Sequence, residues 1–278
     1  MNAVKTFLLM LSMTLILLFI GGAIGGRNGA IFALIFSFGI NMISYWNSDK
    51  IVLRMYRAQE VDKGSEVYSI VRELAERADL PMPKVYMINE AQPNAFATGR
   101  NPQHAAVAVT RGITEILDRN ELKGVLAHEL GHVNNKDILI GTIAASFAGA
   151  IAYLATMAKW AAIFGGRDDE DNSPMALIAI AIFAPMAAIL VQMAISRTRE
   201  YKADSYGGKL AGNPLYLANA LKKLEMWSTR TPMDDAKPAT AHMFIVNPLK
   251  GQNLAKLFST HPATKDRIEK LEEQARQS

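Results

Sequence analysis

The sequence predicts an α+β membrane protein: a mainly α-helical polar domain with a small antiparallel β-sheet, plus four transmembrane helices arranged as two hairpins. Half of the 278 residues are hydrophobic, and many of them fall in four long segments that carry almost no charge. The polar residues form two blocks, which the third and fourth apolar segments separate. Runs with the composition of β-strands occur in the first block, whereas helical periodicity occurs in both.

The four apolar segments span residues 7–26, 29–46, 138–166 and 174–195. Each is near or above the ~20 residues that a helix needs to cross the hydrocarbon core of a bilayer. The first is longer than the apolar part of a signal peptide and is followed at once by the second, which favours an uncleaved anchor. The third and fourth are rich in Ala and Gly, so a buried hairpin in a soluble domain is the alternative for them.

Basic residues predict the orientation of these helices, because cytoplasmic loops of membrane proteins carry an excess of Lys and Arg. Basic side chains precede the first segment and follow the second and the fourth, namely Lys5, Lys50, Arg54, Arg57, Arg197, Arg199 and Lys202. The connecting loops hold only Arg27 and Arg167, the latter beside four acidic residues. Both termini and the polar domain are therefore expected in the cytoplasm. The chain divides at these boundaries into a hairpin (1–46), the first part of the polar domain (47–137), a second hairpin (138–195) and the second part of the polar domain (196–278).

The first polar block is expected to contain two helices and the sheet. Residues 65–80 predict an amphipathic helix that Pro81 and Pro83 end, and its apolar face comprises Val67, Ile70, Val71 and Leu74. Strands are expected at residues 84–88, 94–99 and 104–110. Asn120 is the expected N-cap of a helix over residues 121–135.

The second polar block is expected to contain three helices. A helix continues from the fourth apolar segment to about Tyr206, and Asn213 with Pro214 begins another, since Asn caps helices and Pro suits the first turn. Residues 260–277 predict a charged helix.

The helix over residues 121–135 contains the sequence HELGH, in which His128 and His132 stand four residues apart. Residues at that spacing lie on one helix face, so the two imidazoles can hold one zinc ion. Glu129 is rotated by ~100° from His128 by helix geometry and need not be a ligand. It is therefore the candidate general base of an HExxH site.

A catalytic zinc site keeps three protein ligands, and Glu200 is the candidate for the third. Asp204 lies one turn further along the same helix face and is expected to accept a hydrogen bond from His128 and fix its tautomer. Alone, this pair of acids would indicate a solvated helix face. However, the HExxH helix leads into the third apolar segment and Glu200 follows the fourth. An antiparallel hairpin between those segments would bring His132 and Glu200 together.

Five segments together resemble the HtpX-type membrane zinc metallopeptidases, which are similar to the prenyl-protein (CAAX) zinc endopeptidases. These segments are HELGHVNNKD, SRTREYKADSYGG, NAFATGR, AHMFIVNPL and STHPATKDRIEKL, and they cover about residues 52–271 in matching order. The resemblance implies a zincin-like domain with one Zn²⁺ per chain, bound by His128, His132 and Glu200, and with Glu129 catalytic. It also implies an endopeptidase of the inner membrane of a bacterium or archaeon that removes misfolded or damaged membrane proteins.

Two further catalytic positions are implied by the resemblance, His261 and Arg267. A histidine or arginine near the zinc could bind the oxyanion that develops during peptide hydrolysis. From the residues alone, His261 would be a helix-terminal residue without a role, and Arg267 would form a surface salt bridge.

The segment Asn94, Ala95, Phe96 and Ala97 is the expected substrate-binding strand. Proteases of this zinc class usually bind the chain to be cut as an added strand on a sheet edge, through main-chain hydrogen bonds. The segment precedes the HExxH helix, and its small side chains leave the backbone approachable. The alternative is an ordinary strand with both sides covered.

Other functions are less well supported by the sequence. A catalytically silent membrane chaperone or scaffold would be expected to lack Glu129 or a ligand, and all are present. Prenyl-peptide processing would need a larger intramembrane chamber than so few membrane helices build. There is no basic patch interleaved with aromatic residues, so no nucleic acid partner is expected. The expected partners are unfolded membrane proteins and the lipid bilayer.

Overall fold

The computed structural model describes residues 2–147, 197–230, 244–245 and 262–277, which form a mostly helical structure with one small sheet. The greater part of the predicted second hairpin lies outside the described residues, and so does His261.

Helix α1 (Asn2–Met55) folds back on itself at Gly26 and forms a helical hairpin. Gly26 has a φ of 56°, in the left-handed region that glycine adopts at little cost. Asn41 Nδ2 donates a hydrogen bond of 2.9 Å to Thr14 Oγ1. In one straight helix these residues would be about 40 Å apart, so the two halves must run side by side. The first predicted hairpin is therefore present.

The outer surface of this hairpin is apolar. Its most exposed large side chains include Phe7 at 63%, Phe19 at 77%, Phe32 at 71% and Phe38 at 67%. Within the described ranges, one helical stretch, Gly26–Asn47, is long and apolar enough to cross a bilayer by length and composition. A soluble protein rarely leaves so large a contiguous apolar surface uncovered, so this surface indicates a membrane.

The β-sheet has four strands in the order β1 (Gln59–Glu60), β2 (Lys84–Ile88), β4 (Ala105–Thr110) and β3 (Ala95–Gly99). The prediction of an antiparallel sheet is wrong for one pair of strands, because β2 and β4 run parallel. The other two pairs are antiparallel, so the sheet is mixed. Because β2 and β4 run parallel, the chain must return to the same end of the sheet between them. Strand β3, which runs antiparallel to β4, makes this return. Strand β3 is an edge strand, as the substrate-binding expectation requires.

Both faces of the sheet are covered, and successive residues of β4 show this directly. Val107 and Val109 face the main core, whereas Ala106 and Ala108 pack with Val52 at the end of the hairpin. The sheet is therefore sandwiched between the helices of the polar domain and the membrane hairpin.

Three helices of the first polar block begin after residues that cap them, namely Ser65, Thr110 and Asp118. Helix α2 (Glu66–Arg77) begins after Ser65 and buries the predicted apolar face, but it ends before Pro81. A short helix α3 (Arg111–Ile116) leads to α4 (Arg119–Asn134), which carries HELGH. The cap of α4 is Asp118 rather than Asn120, because Asp118 and Glu121 form a reciprocal capping box.

The remaining described helices pack around α4. They are α5 (Ile138–Phe147), α6 (Arg197–Ala211), α7 (Pro214–Arg230) and α8 (Thr264–Arg276). The main core lies between α2, α4, α7 and one face of the sheet, and it contains fully buried side chains such as Leu74, Val107, Leu126 and Leu221. Helix α4 is thus held on several sides, which fixes the direction of its histidines.

Candidate metal centre

Helices α4 and α6 approach each other very closely where their functional side chains meet. A Cβ atom added at Gly207 would lie 2.7 Å from the backbone nitrogen of His128, and one at Gly131 would lie 3.3 Å from the Cα of Ala203. Only glycine permits the first of these approaches without a shift. The short interhelical distance places Glu200 and Asp204 of α6 directly opposite His128.

Three side chains converge on one point: His128, His132 and Glu200. The two Nε2 atoms are 3.2 Å apart, and the carboxylate oxygens of Glu200 lie 3.7 Å from Nε2 of His128 and 3.6 Å from Nε2 of His132. Donors that surround a tetrahedral metal at 2.0–2.1 Å are separated by about 3.3 Å. The donor set and its spacing therefore fit a metal of this kind.

His128 is held on its other ring nitrogen by Asp204. Its Nδ1 lies 2.9 Å from Asp204 Oδ1, which directs Nε2 toward the metal point. Burial raises the pKa of Asp204, but the adjacent Arg267 guanidinium, together with the hydrogen bond from His128, outweighs this and lowers the pKa to about 2. The carboxylate is therefore ionised at physiological pH and favours the tautomer of His128 in which Nδ1 carries the proton.

His132 is surrounded by carboxylates. Burial by itself lowers the pKa of His132, but Glu200, Asp137 and Glu129 outweigh it and raise the pKa to about 9. These carboxylates therefore favour a positive charge at this point. A cation that binds here replaces the proton of the charged imidazole, because a ligating imidazole must be neutral.

Glu129 points toward the edge strand of the sheet. Its Oε2 accepts a hydrogen bond of 2.8 Å from the backbone N–H of Ala97. The side chain is only 6% exposed, and it does not belong to the converging donor set. This position beside the metal point suits a base that moves protons rather than a ligand.

A model of peptidase family M48 matches residues 61–275 of the chain, a range that includes every residue of this centre. The chain belongs to peptidase family M48. Relatives called "Protease HtpX homolog" match the M48 chain over nearly its full length. The one from Syntrophotalea carbinolica is 60% identical and covers 98% of both chains, and the one from Desulfatibacillum aliphaticivorans is 59% identical over 97% of this chain and 89% of its own.

A solved structure, that of S. mikatae Ste24p, shares the fold of this M48 chain. The TM-score is 0.51 at 19% identity, with 97% of this chain covered. The match takes in 65% of the Ste24p chain, so the M48 chain spans just under two thirds of that protein's length. Together with the family match and the relatives, this places the chain among the membrane metallopeptidases.

Arg267 lies deep in the protein, against Asp204 and His128. It is 1% exposed, and its Nε and Nη2 donate to both carboxylate oxygens of Asp204, at 2.8 and 2.6 Å. Nη2 also lies 3.5 Å from Nδ1 of His128, on the side of the ring that faces away from the metal point. Arg267 is therefore a buried partner of Asp204 rather than part of a surface salt bridge, and its expected oxyanion role stays a prediction. His261, the other residue expected to bind the oxyanion, lies outside the described residues.

The four residues of the expected substrate strand divide into two groups. Ala95, Phe96 and Ala97 belong to β3, and Ala97 adjoins Glu129. Asn94 precedes the strand, is 2% exposed and accepts a hydrogen bond of 3.2 Å from the backbone N–H of Ile245. Arg267 donates to the carbonyl of the same Ile245 at 3.2 Å. Asn94 therefore holds Ile245 against the sheet.

Two residues near the centre were not predicted from the sequence, Asp137 and Thr142. Asp137 Oδ2 lies 3.7 Å from Nδ1 of His132, and Thr142 bonds to the edge strand. Asp137 follows the second histidine by five residues, so its return to His132 depends on the turn that ends α4. Thr142 stands within an apolar segment, where its hydroxyl gives no local signal.

Proposed function

We propose that this M48 peptidase is a zinc endopeptidase of the inner membrane that cuts extended segments of misfolded or damaged membrane proteins. The observation that carries the proposal is the spacing of the donors of His128, His132 and Glu200, with Glu129 beside them. Two histidines and one glutamate form one of the established donor sets of catalytic zinc.

Zinc at this point would supply Lewis-acid polarisation of the scissile carbonyl and would lower the pKa of a water molecule. Glu129 accepts the proton of the attacking water and returns it to the leaving amine, which is the role of a general base and then acid. Asp204 keeps His128 oriented throughout, since it bonds to Nδ1 and leaves Nε2 for the metal.

The edge strand β3 is the proposed receiver of the substrate. The structure describes no strand beyond β3 on its outer side. On that side the backbone N–H of Ala97 donates a hydrogen bond to Glu129. A peptide added there would be recognised through its main chain, so many sequences would be accepted provided that they are extended. Folded proteins do not offer such segments, whereas misfolded ones do.

The membrane orientation is proposed from the basic residues and from the exposed apolar hairpin. We propose that four transmembrane helices span the bilayer and that the catalytic domain and both termini lie in the cytoplasm. Support comes from Lys50, Arg54 and Arg57, which follow the stretch long enough to cross.

Thiol labelling of single-cysteine variants tests this orientation. The chain contains no cysteine of its own, so each variant has one reactive site. Asp169→Cys, in the loop between the third and fourth apolar segments, is expected to react with an impermeant thiol reagent added to intact cells. Lys63→Cys, on the exposed surface of the polar domain, is expected to react only after the cells are opened. Labelling of both variants only after lysis would show that the second hairpin does not cross the membrane.

Substitution of the ligands tests the zinc proposal. We expect His128→Ala, His132→Ala and Glu200→Ala each to reduce the zinc content of detergent-purified protein well below one per chain, because three protein ligands are needed to retain the metal. His104→Ala is the matched control, since His104 is exposed and bonds only locally to Asn101. The measurement is metal analysis together with cleavage of an unfolded protein, with and without a chelator. A full zinc content in Glu200→Ala would assign the third ligand to a different residue.

A further inference from the structure

Helix α5 (Ile138–Phe147) is the element that joins the metal centre, the edge strand and the membrane hairpin. Ile138 packs in the main core, whereas Ile143 and Phe147 pack against Leu9 of the hairpin. Ala145 packs with Phe96 on the hairpin side of the sheet. The helix thus contacts all three parts with different faces.

The N-terminal end of α5 meets the metal centre. After α4, Lys136 adopts a φ of 57°, which is uncommon for a residue with a side chain. This turn reverses the chain, so that the backbone N–H of Asp137 donates to the carbonyl of His132 at 2.9 Å. The Asp137 carboxylate, 9% exposed, then lies 3.7 Å from Nδ1 of His132. Asp137 thus faces the same ring nitrogen of His132 that Asp204 faces in His128, although at 3.7 Å rather than 2.9 Å.

The middle of α5 meets the edge strand. Thr142 is 1% exposed, and its hydroxyl lies 3.1 Å from Thr98 Oγ1 and accepts from the backbone N–H of Gly99 at 3.3 Å. The same hydroxyl donates to the carbonyl of Ile138 at 2.6 Å. These bonds fix the C-terminal end of β3, two residues beyond the Ala97 N–H that bonds to Glu129.

We propose that α5 positions both halves of the catalytic site: Asp137 orients the ligand His132, and Thr142 fixes the strand that receives the substrate. Both are positioning residues, since neither belongs to the converging donor set: Asp137 contacts the ring of His132, and Thr142 contacts the backbone at the C-terminal end of β3, on the same outer side as Glu129. The inference rests on the proposed function for the role of the strand, but the orientation of His132 can be tested by metal affinity alone. Helix α5 also packs on the α1 hairpin. The positions of His132 and β3 therefore depend on how the hairpin is packed.

A simpler role for Asp137 would be to cap α5, and a pair of variants separates the two roles. Asp137→Ser keeps a side chain that caps helices well but is too short to reach His132. Asp137→Asn keeps the length without the charge. The matched control is Asp62→Ser, in an exposed turn where the Asp62 side chain accepts from the backbone N–H of the nearby Gly64.

The first measurement is the zinc dissociation constant, obtained by competition with a chelator. We expect Asp137→Ser to raise it about 10–100-fold, the usual effect of removing the partner of a ligating histidine, and Asp137→Asn to raise it less. Asp62→Ser should leave it unchanged. Wild-type zinc affinity in Asp137→Ser would overturn the role of Asp137, whether or not the protein proves to be a protease.

The second measurement is the split between kcat and KM for an unfolded substrate. Thr142→Val preserves shape but removes the hydroxyl, and we expect KM to rise about three- to tenfold with zinc affinity unchanged, since two hydrogen bonds to the strand are lost. Thr142→Ser restores the hydroxyl and should restore KM. Thr114→Val, on the exposed surface of α3, is the control. An unchanged KM in Thr142→Val, or a KM that Ser does not restore, would overturn the role of Thr142.

Failure of the proposed function would look different from failure of this inference. Wild-type protein that binds zinc but cleaves nothing would contradict the proposed function and the strand role of Thr142, while the test of Asp137 would stand. Active wild-type protein whose Asp137 and Thr142 variants behave like their controls would contradict the inference alone. Thermal unfolding of each variant identifies any that fails to fold. Asp137→Asn and Thr142→Ala, which lacks the hydroxyl and is smaller than Val, then decide the matter.

Discussion

Glu129→Gln is expected to keep its zinc and to lose cleavage. The substitution removes the proton acceptor without removing a ligand, and general acid–base catalysis is worth about 10²–10⁴-fold in rate. The amide oxygen of Gln can still accept from the backbone N–H of Ala97, which the Glu129 carboxylate now does at 2.8 Å. The edge strand should therefore stay in place, and KM should change much less than kcat.

The measurement is the rate of cleavage of an unfolded protein by detergent-purified enzyme, with zinc content determined on the same sample. Glu115→Gln is a suitable control, because Glu115 forms only an exposed ion pair with Arg111. Cleavage by Glu129→Gln at a rate near that of the wild type would require a different base.

Arg267→Ala is expected to destabilise the polar domain strongly. The substitution leaves Asp204, 3% exposed, as a buried carboxylate without its bidentate partner. Removing one member of a buried ion pair typically costs ~3–5 kcal/mol. Lys265→Ala on the same helix removes an exposed partner of Glu269 and should have little effect.

Thermal unfolding in detergent, with and without a chelator, measures this difference. Asp204→Asn combined with Arg267→Met should recover much of the stability, because neither buried charge then remains, but not the zinc affinity, because His128 lacks its carboxylate partner. If Arg267→Ala lowered kcat while stability and zinc affinity stayed at wild-type values, Arg267 would be an oxyanion-binding residue after all.

The same ion pair has a pH signature. The pKa of Asp204 is lowered from 3.8 to about 2 in the folded protein, so the folded state binds its proton less readily than the unfolded state. The stabilisation is therefore fully present above pH 3.8 and is lost as the pH falls through about 2. In Arg267→Ala the contribution from this group should be much smaller over that range.

Local spacing was sufficient to predict much of the centre. The i, i+4 pairs His128 with His132 and Glu200 with Asp204 lie on common helix faces because helix geometry requires it. Their meeting across the chain was inferred from the hairpin between the third and fourth apolar segments. The structure brings His132 and Glu200 to 3.6 Å, although it does not describe most of that hairpin.

Other features depend on contacts that no local pattern encodes. From the residues alone Arg267 would form a surface salt bridge, since arginine is seldom buried, and its partner Asp204 is 63 residues away in sequence. The parallel pairing of β2 and β4 arises because β3, which lies between them in sequence, pairs on the other side of β4. The cap at Asp118, by contrast, could have been found, since Asp118 and Glu121 have the spacing of a capping box.

The contact between Arg100 and Trp46 ties the residue that follows the edge strand to the end of the apolar stretch. The Arg100 guanidinium lies over the Trp46 ring at 4.5 Å, and Trp46 stands at the end of the stretch that is long enough to cross. Tryptophan commonly marks the level of the lipid headgroups. From Arg100 to Ala97 the strand rises only ~10 Å, at ~3.3 Å per residue. On the proposed mode of binding, the peptide bond presented to Glu129 would lie only a few residues from the membrane surface. The position of the cut would then depend on this distance more than on the side chains around the bond.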